Sequence, residues 1–320
     1  MKYYLAPLEG NTTYVFRTAY HRHYGGMERY FTPFIASRNL SSRERGDVLP
    51  EHNVGMTCIP QIITGRADEF LDIAASVKAF GYDTVNLNLG CPAATVVSRK
   101  RGSGMLSDTE SLKVFLDEIY TKCDMKISVK TRIGIESTSE WTKILDVFEM
   151  FPLEELIIHP RLQKQGYGGQ VHFDAMQEAY ERNLPFPVCF NGDLLYINEE
   201  AAGYGSLSYA KELLPQMDTA MIGRGIFRYP GMVAEAGSEP SLDRLKAFHS
   251  ELLSGYIKIM SGDANTLFKM KDLWTFLSQS FEDSDKYLKK IRKSSRLSEY
   301  EVVVNSLFRE CAYIPTRRDI

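Results

Sequence analysis

The sequence predicts an α/β protein, a (β/α)8 TIM barrel followed by a small all-helical C-terminal domain. Its 320 residues suffice for one barrel of roughly 250 residues and an appendage. Short apolar segments rich in β-branched and aromatic residues recur along residues 1–237, and segments with helical periodicity separate most of them. Because strands that alternate with helices form parallel sheets, eight such units predict a closed barrel.

The eight predicted strands are short and consist mainly of apolar side chains. They span residues 2–5, 29–31, 58–62, 84–87, 126–129, 155–158, 188–190 and 220–222. Between the third and fourth strands, Phe70, Ile73 and Val77 have the spacing of one apolar helix face. The predicted barrel helices include residues 67–80, 137–151 and 207–214.

The pattern changes after residue 237. From there on the strand signal is weak, and residues 242–260 and 297–308 have helical periodicity. We therefore expect two domains, a barrel at residues 1–237 and a helical domain at residues 238–320.

The composition is that of a soluble globular protein, with 44% hydrophobic and 25% charged residues. The first residues have no long apolar stretch with a small-residue cleavage site. No later run reaches the roughly 18 apolar residues that a membrane span requires. We therefore expect a cytoplasmic protein.

Five cysteines are scattered along the chain without a Cys-x-x-Cys pair: Cys58, Cys91, Cys123, Cys189 and Cys311. This pattern argues against a disulfide framework, a zinc site and an iron–sulfur cluster, and we expect no metal. A formal net charge of −3 neither requires nor excludes a nucleic-acid partner, so the local distribution of charge must decide.

Polar or glycine residues follow nearly every predicted strand, and the carboxyl ends of barrel strands converge on the rim that carries the active site. Two consecutive ends, Asn191-Gly192-Asp193 and Gly223-Arg224-Gly225, lie where such barrels commonly bind a phosphate. Glycines let backbone N–H groups approach an anion, and an arginine adds a forked charged donor. One glycine-rich loop is often an ordinary turn, but two on consecutive strands favour a phosphate site.

FMN is a common phosphate-bearing ligand of barrels, whereas no Gly-x-Gly-x-x-Gly motif predicts a Rossmann dinucleotide domain. Lys130, His159 and Arg161 follow adjacent strands and would lie near the flavin ring system. A cation beside the N1–O2 edge of a flavin stabilises the anionic reduced form. A rim salt bridge for Lys130 and a neutral hydrogen-bonded His159 are the alternatives, and the adjacency of the two residues favours a site.

Cys91 differs from the other cysteines because it lies in a Gly-Cys-Pro turn just past a strand end. A thiol with an ordinary pKa of about 8.5 is mostly protonated at neutral pH and can serve as an acid. The flexible segment that follows carries Arg99, Lys100 and Arg101. A single Cys-Pro turn is a weak signal when taken alone.

Four lysines share one helical face in the C-terminal region: Lys286, Lys289, Lys290 and Lys293. Most runs of charge are simply solvated helix faces. On a slightly acidic protein, however, a strongly basic face indicates an electrostatic contact with a polyanion.

Taken in order, these motifs resemble those of the tRNA-dihydrouridine synthase family. The matching segments are residues 6–12 (Ala-Pro-Leu-Glu-Gly-Asn-Thr), Gln61, 86–92 (Asn-Leu-Asn-Leu-Gly-Cys-Pro), 102–106 (Gly-Ser-Gly-Met-Leu), 129–134 (Val-Lys-Thr-Arg-Ile-Gly), 159–161 (His-Pro-Arg), 191–193 (Asn-Gly-Asp) and 223–224 (Gly-Arg). Each is weak by itself, but the ordered set across the barrel is specific. The sequence departs from the common pattern in two places, since Leu8-Glu9 replaces Met-Ala and Pro160 replaces glycine or alanine.

The resemblance implies an FMN enzyme that reduces the C5=C6 bond of uridines in tRNA to dihydrouridine, with NADPH or NADH as reductant. Hydride would pass from the flavin to C6, and a cysteine thiol would protonate C5. The resemblance further implies a helical C-terminal domain that binds tRNA, and a monomer is expected.

The resemblance also assigns roles to residues. Together with Arg161 from the strand-end argument, the expected FMN contacts are Pro7, Leu8, Glu9, Gln61, Lys130, His159, Asn191, Gly192, Asp193, Gly223 and Arg224. Cys91 matches the proton donor, and Asn88 matches a position beside the target base. Further tRNA contacts are expected from the two basic segments, Arg99, Lys100 and Arg101 in one and Lys286, Lys289, Lys290 and Lys293 in the other.

Three other functions stay open at this point. A dihydroorotate dehydrogenase is also an FMN barrel and acts on a small pyrimidine, but it has no use for a basic helical C-terminal region. A non-catalytic RNA-binding barrel would bind no flavin. A phosphate-binding lyase or isomerase would leave Cys91 without a role.

Overall fold

A computed structural model has the predicted barrel, and it describes residues 1–197 and 203–316. Within these residues the strands are β1 (Lys2–Leu5), β2 (Arg29–Phe31), β3 (Cys58–Ile59), β4 (Gln61–Ile62), β5 (Thr84–Leu89), β6 (Lys126–Arg132), β7 (Leu156–His159), β8 (Val188–Phe190) and β9 (Thr219–Ile222). They form one sheet in the order β3-β2-β1-β9-β8-β7-β6-β5-β4, and every neighbouring pair is parallel.

The barrel closes through the third predicted strand, which is divided at Pro60. β3 pairs with β2 and β4 pairs with β5, so both ends of the sheet belong to the same stretch of chain. Proline has no N–H to donate to a strand ladder, which explains the break. The Pro60 carbonyl still accepts the N–H of Asn86 at 2.9 Å. Eight strand positions therefore surround the barrel, and the predicted fold class is confirmed.

β5 and β6 extend beyond the predicted ends, to Leu89 and Arg132 rather than residues 87 and 129. The predicted strands ended just before Asn88 and Lys130, which were assigned to the segments that follow the strands. In the structure the two strands continue to pair as far as Leu89 and Thr131. Polar side chains thus belong to the strands themselves at the rim of the barrel.

Helices surround the barrel and then continue into the C-terminal region. Within the described residues they are α1 (Tyr14–His23), α2 (Ser42–Val48), α3 (Ala67–Lys78), α4 (Ala94–Val97), α5 (Thr109–Lys122), α6 (Trp141–Glu149), α7 (Phe173–Glu181), α8 (Leu207–Leu213), α9 (Arg224–Arg228), α10 (Leu242–Ile259), α11 (Gly262–Leu277), α12 (Asp285–Lys293) and α13 (Leu297–Glu310). Across this part of the chain, no helix combines the length and the apolar character that crossing a membrane requires.

The barrel interior is filled by a small apolar cluster that is separate from the large core beneath the helices. Its members are Tyr4, Ala6, Phe31, Ile59, Ile157, Cys189 and Met221. At the start of β7, the buried Glu155 accepts a hydrogen bond of 2.7 Å from the Tyr4 hydroxyl and pairs with Arg29 at 3.1 Å. The barrel is therefore a packed core, and its open space lies at the opposite rim.

The C-terminal helices share the large core with the barrel. Phe248 on α10 meets Phe16 on α1 edge to face, with ring centroids 5.7 Å apart. The hydroxyls of Tyr256 and Thr13 lie 3.3 Å apart. A domain boundary at residue 237 stays a prediction, and residues 317–320 of the predicted second domain lie outside the described residues.

A buried polar cluster lies inside the C-terminal helices. The Trp274 N–H donates to the Tyr300 hydroxyl at 2.7 Å, and that hydroxyl lies 2.6 Å from Nε2 of His249. Indole can only donate, so the Tyr300 O–H is free to donate to a neutral His249. Burial lowers the pKa of His249 to about 4, which keeps the imidazole neutral at pH 7.

We expect His249 to make the protein acid-sensitive. Its pKa in the folded protein, about 4, lies below the ordinary value of 6.5. Between these values the unfolded chain binds a proton that the folded protein does not, so stability falls as the pH drops, by up to about 3 kcal/mol. Urea unfolding at pH 7 and pH 4.5 should show a smaller loss of stability for His249→Gln than for the wild type. Equal losses in both proteins would contradict this role.

Candidate active site

The carboxyl ends of the strands surround a cleft with two chambers. The glycine chamber is lined by the loops after β8 and β9, including Asn191, Gly192, Asp193, Gly223, Arg224 and Gly225. The cysteine chamber is lined by Glu9, Gln61, Asn88, Gly90, Cys91 and Arg132. Both chambers share Pro7, Leu8, Lys130, His159 and Tyr167, so they are two parts of one cleft.

The cleft brings together most of the residues that the sequence singled out. Those that line it are Pro7, Leu8, Glu9, Gln61, Asn88, Cys91, Lys130, His159, Asn191, Gly192, Asp193, Gly223 and Arg224. Those that do not line it are Arg161, the basic segment at residues 99–101 and the four lysines of α12.

Lys130 carries its ammonium group into the cleft from β6. Within residues 1–197 and 203–316, no carboxylate or hydrogen-bond acceptor pairs with it. Burial lowers the pKa of Lys130 to about 8, and the neighbouring charge of Arg132 adds to the shift. The group is still mostly protonated at neutral pH, so it is a buried cation with no anionic partner in the described protein.

His159 is a neutral imidazole at the end of β7. Burial, together with the positive charges of Lys130 and the nearby arginines, holds the pKa of His159 well below its ordinary value. Nη1 of Arg161 lies 3.1 Å from Nε2 of His159. A guanidinium can only donate, so Nε2 accepts and the ring proton lies on Nδ1. The histidine thus offers an N–H donor.

Arg161 lies behind His159 and is fully engaged by the protein. It donates to both carboxylate oxygens of Asp193, at 3.0 and 2.5 Å, and to the carbonyl of Gly169 at 2.7 Å. Burial alone would raise the pKa of Asp193, but the hydrogen bonds from Arg161 hold it below its ordinary value. In this arrangement Arg161 fixes His159 and Asp193 in place without lining the cleft.

The glycine chamber presents backbone at positions where side chains do not fit. A Cβ on Gly192 would lie 2.2 Å from the ring of Phe190, and a Cβ on Gly225 would lie 2.2 Å from the carbonyl of Leu194. Arg224 adds a guanidinium, which pairs with Asp193 at 2.8 Å. The chamber therefore combines backbone without side chains at Gly192 and Gly225 with a cation, a combination suited to a phosphate.

The cysteine chamber contains a protonated thiol. Burial raises the pKa of the Cys91 thiol, so the group is an acid at neutral pH. Arg132 borders the same chamber, held by hydrogen bonds to the carbonyls of Gly90 at 2.9 Å and Leu162 at 2.8 Å. The chamber thus combines a proton donor with two fixed positive charges, those of Lys130 and Arg132.

The basic residues outside the cleft differ in their solvent exposure and in whether they form ion pairs within the protein. Arg99 and Lys100 are exposed, whereas Arg101 pairs with Glu69 at 2.9 Å. The four predicted lysines of α12 are all exposed, whereas Tyr287 and Ile291 of the same helix are buried, and the Lys286 ammonium lies 4.8 Å from the centre of the Tyr287 ring. The predicted basic face is therefore open to solvent.

Arg132 and Tyr167 line the cleft but were not predicted as site residues from the sequence. Arg132 follows Lys130 by two positions on β6, and the period of two along a strand could have placed both on one face. Tyr167 lies in a turn flanked by glycines and has no such signal. Its ring lies 5.7 Å from the guanidinium of Arg132 and 4.8 Å from that of Arg224, so it stands between the chambers.

The chambers have volumes of about 60 and 110 Å³. Ligand clefts usually enclose about 300–1,000 Å³. Each chamber as it stands is smaller than this, and the Tyr167 side chain, which is 53% exposed, stands between them. Across residues 1–197 and 203–316, no three His, Cys, Asp or Glu side chains converge as a metal site.

Fold and cleft together define an enzyme of the α/β-barrel class. Its relation to known proteins is more specific, because the model of the family described as dihydrouridine synthase matches residues 4–314. The chain belongs to this family, and the resemblance found in the sequence is confirmed.

Individual relatives are distant but extensive matches. The chain is 26% identical over 252 residues to tRNA-dihydrouridine synthase B of Pasteurella multocida, covering 75% of this chain and 73% of that protein. It is 27% identical over 228 residues to tRNA-dihydrouridine(20/20a) synthase of Shewanella oneidensis, covering 67% and 66%. It is 24% identical over 260 residues to tRNA-dihydrouridine(16) synthase of Aquipseudomonas alcaligenes, covering 75% and 78%.

Proposed function

We propose that this protein reduces uridines in tRNA to 5,6-dihydrouridine, with FMN as its cofactor and NADPH as the reductant. The observation that carries the proposal is one cleft, in a member of this family, that holds both the protonated Cys91 thiol and the unpaired Lys130 ammonium. A dihydroorotate dehydrogenase and a non-catalytic RNA-binding barrel are less consistent with the family match.

The donors of the cleft fit FMN. The loops at residues 191–193 and 223–225 would hold the phosphate through peptide N–H groups and Arg224. Lys130 and the N–H of His159 would face the polar edge of the ring system. When bound, FMN supplies the hydride for the uracil double bond, and NADPH replenishes it. The buried ammonium of Lys130, which has no anion among the described residues, would gain one in the reduced cofactor.

Cys91 would complete the reduction by proton transfer. Addition of hydride at C6 of uracil leaves negative charge at C5 and O4. The S–H bond of Cys91 breaks, a C–H bond forms at C5, and the remaining thiolate takes a proton from water. Because burial raises its pKa, the thiol keeps this proton at neutral pH until negative charge develops at C5 of the uracil. Lys130 and Arg132 would stabilise the transient negative charge.

The target uridine must leave its stack to reach this depth, at a cost of about a few kcal/mol. Contacts elsewhere on the tRNA would offset that cost. We assign them to the C-terminal region, residues 238–320, with the exposed lysines of α12 at its centre.

Helix α11 connects that basic face to the cleft. The Lys269 ammonium donates to the carbonyl of Gly10, next to Glu9 at the rim, at 2.6 Å. Lys271 donates to the carbonyl of Ser294 at the end of α12, also at 2.6 Å. Helix α11 thus contacts both the rim of the cleft and the end of α12. Residues 99 and 100 offer further positive charge on the barrel side.

The decisive experiment follows the flavin through both halves of the reaction. The purified protein should show flavin absorption that bleaches with NADPH under anaerobic conditions and returns on addition of unmodified tRNA. Cys91→Ala should keep the flavin and the bleaching but lose most dihydrouridine formation, measured by mass spectrometry of the tRNA.

Cys123→Ala serves as the matched control, since this thiol lies at the end of α5 and not in the cleft. A colourless protein that takes up no added FMN would refute the cofactor. Normal dihydrouridine yield in Cys91→Ala would refute the proton donor alone.

Removal of the Lys130 charge should lower the reduction potential of the bound flavin. The ammonium stabilises the anionic reduced form, so Lys130→Met should shift the midpoint potential to a more negative value in a dye-coupled anaerobic titration. Lys126→Met, at the exposed start of the same strand, should leave the potential unchanged. Equal potentials in all three proteins would mean that Lys130 does not face the flavin.

Charge reversal on α12 should weaken tRNA binding without affecting the flavin. Lys289→Glu combined with Lys293→Glu should raise the KM for tRNA by about tenfold and flatten its dependence on salt. Lys113→Glu with Lys143→Glu, on exposed barrel helices, is the control of equal charge. An equal rise in KM for both pairs would point to net charge and not to a site on α12.

Point variants are preferable to removal of residues 238–320. Such a truncation would uncover the apolar surface of α1 at the contact between Phe16 and Phe248. Loss of activity would then report unfolding as readily as lost tRNA binding.

A further inference from the structure

The peptide group of Cys91 is held from both sides. On one side the amide oxygen of Asn88 accepts the N–H groups of Gly90 and Cys91, each at 3.0 Å. On the other side Ser103 donates twice to the Cys91 carbonyl, from its N–H at 3.1 Å and from its hydroxyl at 2.9 Å. Both the N–H and the carbonyl of Cys91 are therefore hydrogen-bonded, which fixes the turn that presents the thiol.

Asn88 is itself held by a chain of side-chain amides inside the barrel. Its nitrogen donates to the Gln61 oxygen at 2.8 Å, and the Gln61 nitrogen donates to the Asn86 oxygen at 2.8 Å. The Asn86 nitrogen in turn donates to the Ser128 hydroxyl at 2.9 Å. Because each link has one donor and one acceptor, rotating the Asn88 amide would break bonds at both ends. The oxygen that faces Cys91 is thus fixed by the barrel.

The segment that carries Ser103 is pressed against the cysteine turn. Gly102 has a φ of +55°, and a Cβ there would lie 2.8 Å from the Cys91 carbonyl. Ser103 is fully buried. A buried hydroxyl is costly unless it is hydrogen-bonded, and the bond that the structure gives this one is to Cys91.

We propose that Ser103 is a positioning residue for proton transfer, one that acts through the backbone of Cys91 and touches neither substrate nor cofactor. The inference rests on the proposed role of Cys91 as the acid. Together with the Asn88 amide, Ser103 keeps the thiol at a fixed place beside the carbon it protonates. Proton transfer depends steeply on distance, and a displacement of about 1 Å can slow a reaction about a hundredfold.

The test compares Ser103→Ala with Ser107→Ala. The hydroxyl of the exposed Ser107 donates to the Gly104 carbonyl at 2.9 Å in the same segment, so the control removes a hydroxyl-to-backbone hydrogen bond that does not reach Cys91. Ser103→Ala should keep wild-type flavin content, melting temperature and rate of reduction by NADPH. Its reoxidation by tRNA should slow by about 10- to 100-fold at unchanged KM for tRNA.

A solvent isotope effect distinguishes misplacement of the Cys91 thiol from a general loss of order in the segment that carries Ser103. If proton transfer becomes limiting, the reoxidation of Ser103→Ala in D2O should slow by a larger factor than that of the wild type. Ser103→Thr, which keeps the hydroxyl, should restore most of the rate, and this rescue decides the matter if Ser103→Ala loses stability.

Each result is decisive. A wild-type rate in Ser103→Ala, an equal loss in Ser107→Ala, or no recovery in Ser103→Thr would overturn the role of Ser103. Failure of the wild-type protein itself to form dihydrouridine would overturn the proposed function instead, so the two failures are distinguishable.

Discussion

The buried ammonium of Lys130, which has no counter-charge among the described residues, is the constraint around which the cleft is arranged. Withdrawing an ammonium such as that of Lys130 from water costs several kcal/mol unless an anion or good hydrogen bonds compensate. Part of the cost is met by the lowered pKa, and the open cleft keeps a route to solvent. Burial, together with this charge and those of the nearby arginines, lowers the pKa of His159 and keeps it neutral. The protein therefore stores unfavourable electrostatic free energy at the place where an electron-rich ligand would release it.

The interior of the barrel has three layers along its axis, and each layer has a different chemical character. A buried ion pair between Glu155 and Arg29 closes one end, and apolar side chains fill the middle. Towards the rim the interior becomes polar, with the amide chain that begins at Ser128 and ends beneath Cys91. Burial of the apolar middle layer favours folding, whereas the hydrogen bonds of the third layer hold side chains in fixed orientations. This division explains why polar residues occur within the strands themselves at the rim.

Much of this could be predicted from sequence, because alternating strands and helices are local patterns and strand ends must meet at one rim. The break at Pro60 and the longer β5 and β6 were missed, since apolar content marks strand centres better than their polar ends. The sequence identified the cleft residues that belong to the ordered motifs, but it did not identify the residues that contact them. Nothing local shows that Arg161 is engaged by Asp193, or that Tyr167 folds back between two arginines. Such contacts join residues far apart in the chain.

The packing of α10 on α1 has a consequence for how this protein can change. Phe16 and Phe248 belong to one core, so the apolar faces of α1 and α10 are each covered by the other helix. The C-terminal helices are therefore not a module that could be exchanged between barrels by simple recombination. Exposed positions such as those of α12 can change independently, while the buried faces of α10 and α1 change only together. The outer surface of the C-terminal region can thus diverge, although its inner surface remains tied to the barrel.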